Sequence, residues 1–145
     1  MSEPLHPLTE AARREVVELH EVFEAWLGGA LPASDDLFGR VEASLAPSFT
    51  MVPPDGGAVS RAGVIAAIRT GYGAKSLEGA FRIAIADFEI LHVAPPLIAV
   101  RYVEIQHQGA TTSRRRSTAL LQAAARSPSG MEWLALHETW MKPGT

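Results

Sequence analysis

From residue 81 onward the chain alternates apolar and polar side chains over four long stretches, 81–93, 97–107, 111–125 and 131–142. Alternation of this kind puts successive side chains on opposite faces of a strand. The breaks between the stretches are Pro95-Pro96, Gln108-Gly109 and Ser127-Pro128-Ser129-Gly130. Links so short leave no room for a crossover, so neighbouring strands must run antiparallel. Each stretch is also longer than the usual strand of about five or six residues, which predicts bends or bulges along it.

Before residue 81 the period is 3.6 instead of two. Leu8, Ala12, Val16, Leu19, Phe23, Trp26 and Leu27 form one apolar stripe at helical spacing, with Thr9 as a start signal and Gly28-Gly29 as a stop. Glu15, Glu18, Glu21 and Glu24 are read as its solvated side. A second helix should begin at Ser34-Asp35-Asp36, bury Leu37, Phe38, Val41 and Leu45, and stop at Pro47. Residues 49–52 read as a short strand, and Pro53-Pro54-Asp55-Gly56-Gly57 as a turn. Ser60 should cap a third helix running to about Arg69, closed by Gly71 and Gly73. Helices first and a strand meander afterwards predict an α+β fold, with helices on one face of the sheet.

At 145 residues the chain is expected to form one domain, 1–145. A net charge of −3 gives no global basic field, so no nucleic-acid and no membrane partner is expected. Arg114-Arg115-Arg116 does not change this, because a strand sends consecutive side chains to alternate faces. The N-terminus carries no basic and apolar leader pattern, and no apolar run approaches the ~20 residues of a membrane helix. The chain has no cysteine, which suits a cytoplasmic location and excludes thiolate metal sites. His6, His20, His92 and His107 show no metal-ligand spacing with a carboxylate, so neither a metal nor a cofactor is expected.

Residues 49–56, Phe-Thr-Met-Val-Pro-Pro-Asp-Gly, and Arg116-Ser117-Thr118 followed by residues 133–140, Trp-Leu-Ala-Leu-His-Glu-Thr-Trp, carry a family likeness. With three helices before a curved sheet, the chain resembles the nuclear transport factor 2-like superfamily, which includes SnoaL-like cyclases and ketosteroid-isomerase-like enzymes. The resemblance covers residues 8–142. It implies a cone-shaped, cystatin-like roll, with N-terminal helices packed on a strongly curved antiparallel sheet. It further implies a pocket inside the cone and a homodimer through the sheet's outer face. No aspartate–histidine pair of the cyclase type and no acid-rich isomerase signature is matched.

The candidate site follows from which stripe of each strand faces inward, since a slip of one residue exchanges the two. In the last strand Leu134, Leu136, Glu138 and Trp140 make the better inner face, which sends Trp133, Ala135, His137, Thr139 and Met141 outward. In the second, Ile98, Val100, Tyr102, Glu104 and Gln106 grade from apolar to polar, as a cavity with an oily floor and a wet mouth requires. Two carboxylates sharing such a site push their pKa values apart. Arg115 or Arg116 should neutralise a neighbouring glutamate, and an inward arginine suits a ligand carboxylate. The expected ligand-binding residues are therefore Tyr102, Glu104, Arg115, Glu138 and Trp140, with Phe23, Trp26, Phe49 and Met51 as floor candidates. The leading expectation is a domain binding a small, partly apolar organic molecule. The alternatives are a cofactor-free isomerase, cyclase or dehydratase using Glu138 or Glu104, and an assembly module whose working surface is the outer sheet.

Overall fold

A computed structural model of the chain describes residues 6–76 and 80–142. The leader reading falls mainly on positions 1–5, which lie outside the described residues. The elements are α1 (Pro7–Gly28), α2 (Asp35–Ser44), β1 (Leu45–Val52), β2 (Val59–Ser60), α3 (Arg61–Thr70), β3 (Phe81–Ala94), β4 (Leu97–Gln108), β5 (Thr111–Ala123) and β6 (Met131–Trp140).

Helix α1 starts two residues before the Thr9 signal. Pro7 occupies its first turn, where a missing N–H costs nothing, and the His6 ring accepts the Leu8 N–H at 3.1 Å. It ends as expected, with Gly29 in the left-handed region at φ 67°. Ser34 and Ser60 cap α2 and α3 by accepting the N–H groups of Leu37 and Gly63. Strand β1 begins at Leu45, so Pro47 lies inside a strand. Its ladder with β6 is interrupted between Leu45 and Thr50, and this gap accommodates a residue with no N–H to donate.

The strands form one six-stranded sheet in the order β2-β1-β6-β5-β4-β3. The four long strands pair antiparallel with their sequence neighbours, as their short links demand. Strand β1 is different. It lies parallel to β6, so the sheet is mixed and not antiparallel throughout. The chain between β1 and β6 is long enough for either direction, and no tight turn constrains it. The expected bends are present in β3, whose register with β4 shifts between Ala86 and Glu89 and again between Ile90 and His92.

A further shift, between Leu120 and Leu121, sets the phase of β6. Leu121 pairs with Trp133 but Leu120 pairs with Ala135, so Leu134 is an extra residue. The bulge corrects the expectation of strict alternation. Trp133 is buried in the core, although Leu136 and Glu138 further along also face inward.

The core lies between the inner sheet face and the helices, and includes Ala12, Val16, Leu19, Val41, Phe49, Tyr102 and Trp133. Glu15, read from the sequence as solvated, is fully buried. Its carboxylate accepts from Arg40 Nη2 at 2.7 Å, Ser129 Oγ at 2.6 Å and Trp133 Nε1 at 2.8 Å. Glu24 is also engaged, accepting the Ile83 N–H at 2.8 Å. No helix among the described residues is long and apolar enough to cross a membrane.

Candidate functional site

A cavity of about 300 Å³ opens between the inner sheet face, α1 and α3. Most of its wall is hydrocarbon: Leu19, Phe23 and Leu27 come from α1, Val64 and Ile68 from α3, and Phe49, Met51 and Leu136 from the sheet. Trp133 completes the apolar part. The polar lining is concentrated in His20, Glu104, Gln106, Arg115 and Glu138. Strand pairing explains the grouping, because Glu104 lies opposite Arg115 across β4 and β5. Ser117 lies opposite Glu138 across β5 and β6.

His20 reaches the group from α1. Its Nδ1 is 2.7 Å from the Val16 carbonyl and its Nε2 is 3.1 Å from Glu104 Oε1. Both ring nitrogens thus face oxygen acceptors, an arrangement that favours the imidazolium. Burial lowers the His20 pKa, but the hydrogen bond and charge of Glu104 outweigh this and the net shift is upward. Gln106 Nε2 donates to the second oxygen of Glu104 at 2.6 Å. Burial of Glu104 acts to raise its pKa, yet His20, Arg115 and Gln106 together bring it from 4.5 down to about 2.

Glu138 is held less firmly. Arg115 Nη1 donates to it at 3.3 Å and Ser117 Oγ at 3.4 Å, both long contacts. Burial raises its pKa, the nearby charge of Glu104 adds to this, and Arg115 only partly opposes the shift. The two carboxyls therefore separate: Glu104 is a fixed anion and Glu138 holds its proton more readily than an ordinary glutamate.

The other expected residues take different places. Tyr102 belongs to the inner stripe, but it is wholly buried in the core and does not line the cavity. Among the described residues its hydroxyl meets no partner at hydrogen-bond geometry, and burial followed by the charges of Glu104 and Glu138 pushes its pKa well up, opposed in part by Ser117 and Arg115. Trp140 stands at the end of β6 and is 51% exposed; its ring lies 4.7 Å from the Arg115 guanidinium instead of forming cavity wall. Trp26 donates to the Ile68 carbonyl at 2.6 Å and packs on Phe38 and Tyr72, away from the cavity. His137, Arg114 and Arg116 are exposed, the first on the outward stripe of β6.

His20 was the residue missed. It follows Val16 by four positions and precedes Phe23 by three, so helical spacing already put it on the buried stripe. No group of three or more metal-ligating side chains among the described residues is arranged to hold a metal ion.

The sequence matches the family described as Sucrose-6-phosphate phosphohydrolase C-terminal over residues 12–142. The chain belongs to that family. Among solved structures, it is similar to an NTF-2 like protein of unknown function from Pseudomonas aeruginosa, at 27% identity and a TM-score of 0.80, covering 91% of this chain and 99% of that one. An uncharacterised protein with a cystatin-like fold from Caulobacter vibrioides matches at 14% identity and a TM-score of 0.65, covering 93% and 90%. The CaMKII hub of S. rosetta, at 13% identity and a TM-score of 0.61 over 96% and 100%, shares the fold. No curated protein matches the sequence. The family domain is thus an α+β, nuclear transport factor 2-like fold, as residues 49–56 and 133–140 suggested.

Proposed function

We propose that this domain, as a single unit over 1–145, binds a small and largely apolar organic molecule in the cavity. The reading rests on the cavity's division into a hydrocarbon wall and one polar cluster, the usual composition of a small-ligand site. Apolar walls supply affinity, and the cluster fixes orientation. Leu136→Trp should fill the space, and calorimetric titration with a panel of small apolar molecules should then show binding to the parent protein only. If the variant folds and binds as well as the parent, the cavity is not the site.

A second reading is favoured by the opposed shifts of Glu104 and Glu138. A buried carboxyl whose pKa is raised, beside one whose pKa is lowered, suits cofactor-free proton transfer in an isomerase, cyclase or dehydratase. Glu138 is the proton carrier here, since both oxygens of Glu104 are engaged by His20 and Gln106. Glu138→Gln should lower any turnover by roughly 10²–10⁴-fold while leaving ligand affinity within a few-fold. Equal loss of both would assign Glu138 to binding alone.

The domain also acts as a homodimer in this reading, in the cytoplasm. The outward stripes of β3 and β4 place Ala84, Ala86, Val103 and Ile105 side by side, which gives the outer sheet an apolar centre. An assembly larger than a dimer would instead make the outer sheet the working surface.

A further inference from the structure

Arg115 has more hydrogen-bond donors than the protein uses. Its guanidinium offers five N–H groups in a planar fork, and its hydrogen bond to protein runs from Nη1 to Glu138 at 3.3 Å. Its Nε–H is buried and has no acceptor among the described residues. Trp140 covers one face of the group at 4.7 Å, which leaves the in-plane edges as the places for acceptors. Arg115 is at the same time part of the cavity lining.

The rest of the polar cluster is better satisfied. His20 has an acceptor at each ring nitrogen, and Glu104 has a partner at each oxygen. Glu138 is the loosely held member, with contacts of 3.3 Å and 3.4 Å. A cationic ligand would meet His20 and Arg115 beside carboxylates they already neutralise. A neutral hydroxyl accepts at one point and does not match a fork. A carboxylate accepts at two parallel points, the shape a guanidinium edge presents.

We infer that the ligand is an apolar monocarboxylate, its hydrocarbon body against the cavity wall and its carboxylate on the unused donors of Arg115. The inference rests on the cavity being the ligand site. Charge balance follows if Glu138 takes up one proton as the acid enters. Arg115 then pairs with the ligand, while His20 stays paired with Glu104. The groups facing Glu138 are His20 from α1, Glu104 and Tyr102 from β4, and Arg115 and Ser117 from β5. The contribution of α3 to the cavity, Val64, Ala67 and Ile68, is apolar. The upward shift of the Glu138 pKa by burial and by Glu104 agrees with that uptake.

The test is calorimetric titration of octanoate, octanol and octylamine, and of 4-phenylbutyrate with its alcohol and amine, into the full chain and its Arg115→Gln variant. In the parent, each acid should bind at least roughly tenfold tighter than its alcohol, with the amine weakest, since bonds to a charged partner exceed neutral ones by about that factor. Arg115→Gln should erase the acid's advantage and leave the alcohol's affinity in place, which also shows that the variant is folded. Acid binding should be accompanied by uptake of about one proton, read from titrations in buffers of different ionisation enthalpy. An alcohol or amine that binds as tightly as its acid overturns the inference and leaves the ligand site standing. So does an acid advantage that survives Arg115→Gln. Failure of all six molecules to bind removes the inference and the ligand-site reading together.

Discussion

Trp133 donates its indole N–H to Glu15 at 2.8 Å, tying the last strand to the first helix directly behind the cavity wall. The same carboxylate accepts from Arg40 and Ser129, so one side chain joins α1, α2 and the approach to β6. Replacing Glu15 by alanine strands a buried indole N–H and takes from the largely buried Arg40 guanidinium its nearest carboxylate, leaving it Glu18 at 3.6 Å and Ser44. The expected loss is about 3–5 kcal/mol of unfolding free energy, measured by urea denaturation. Trp133→Phe removes a single donor and an indole's worth of packing, and should cost visibly less than Glu15→Ala. A reversed order would show that the network matters less than the packing around it.

The His20–Glu104 pair predicts how stability depends on pH. Glu104 has a lowered folded pKa, so its contribution is complete above an ordinary 4.5 and disappears as pH falls through about 2. His20 has a raised folded pKa, so its contribution is complete below an ordinary 6.5 and disappears as pH rises through the folded value. The pair therefore stabilises most between about pH 4.5 and 6.5. Glu138 also favours the folded state less as pH rises, its contribution being complete below an ordinary 4.5 and lost as pH passes through its raised folded value. Denaturation midpoints should fall as pH rises beyond the ordinary histidine value of 6.5, and His20→Gln should flatten that fall. A midpoint that climbs steadily from pH 5 to 8 would contradict the pairing.

Trp140 has a narrower task. Its ring covers the Arg115 guanidinium while half its own surface remains in water. Trp140→Ala should cost only about 0.5–1 kcal/mol of stability, the size of an exposed cation–π contact. Carboxylate affinity should fall more noticeably than affinity for a neutral analogue, because the guanidinium becomes freer to rotate. Paired titrations of the two ligands measure the difference.

The apolar centre of the outer sheet gives a prediction on assembly. Ile105 lies on the outward stripe of β4, opposite Ala84 and Arg114. Ile105→Asp should convert a dimer to monomers in sedimentation velocity while leaving the cavity's ligand affinity unchanged, since the substitution lies on the other face. A parent that sediments as a monomer at high concentration would remove the dimer from consideration.

Much of the architecture was legible because β4 keeps its alternation unbroken. Every partner from Leu97 to Gln108 pairs in step with β5, so reading Glu104 inward needed no knowledge of the fold's shape. Glu138 was legible for the same reason over the far half of β6, and Trp133 was not, because the bulge at Leu134 lies between them. Helix α1 contained its own warning. Glu15 follows Ala12 by three and precedes Leu19 by four, which is the spacing of the buried stripe. A lone glutamate there reads as solvated until Arg40 is seen to reach it, and that meeting depends on how α2 packs on α1. Partners brought together by packing leave no periodic trace: spacing puts His20 on the buried stripe, but its meeting with Glu104 depends on how α1 lies on β4.

The bulge in β6 has a consequence for length. Leu134 is one residue more than the ladder with β5 needs, and Trp133, Leu136 and Glu138 all face inward because of it. A strand lacking that residue would place the same three side chains inside by plain alternation. A strand that kept the residue and closed the bulge from the Trp133 end would bring His137 in and turn Glu138 out. Relatives with a last strand one residue shorter can therefore keep an acid in the cavity, whereas relatives of equal length without the irregularity would carry an imidazole there. Counting forward from Trp133, without regard to the irregularity, would align the acid of such a shorter strand with His137.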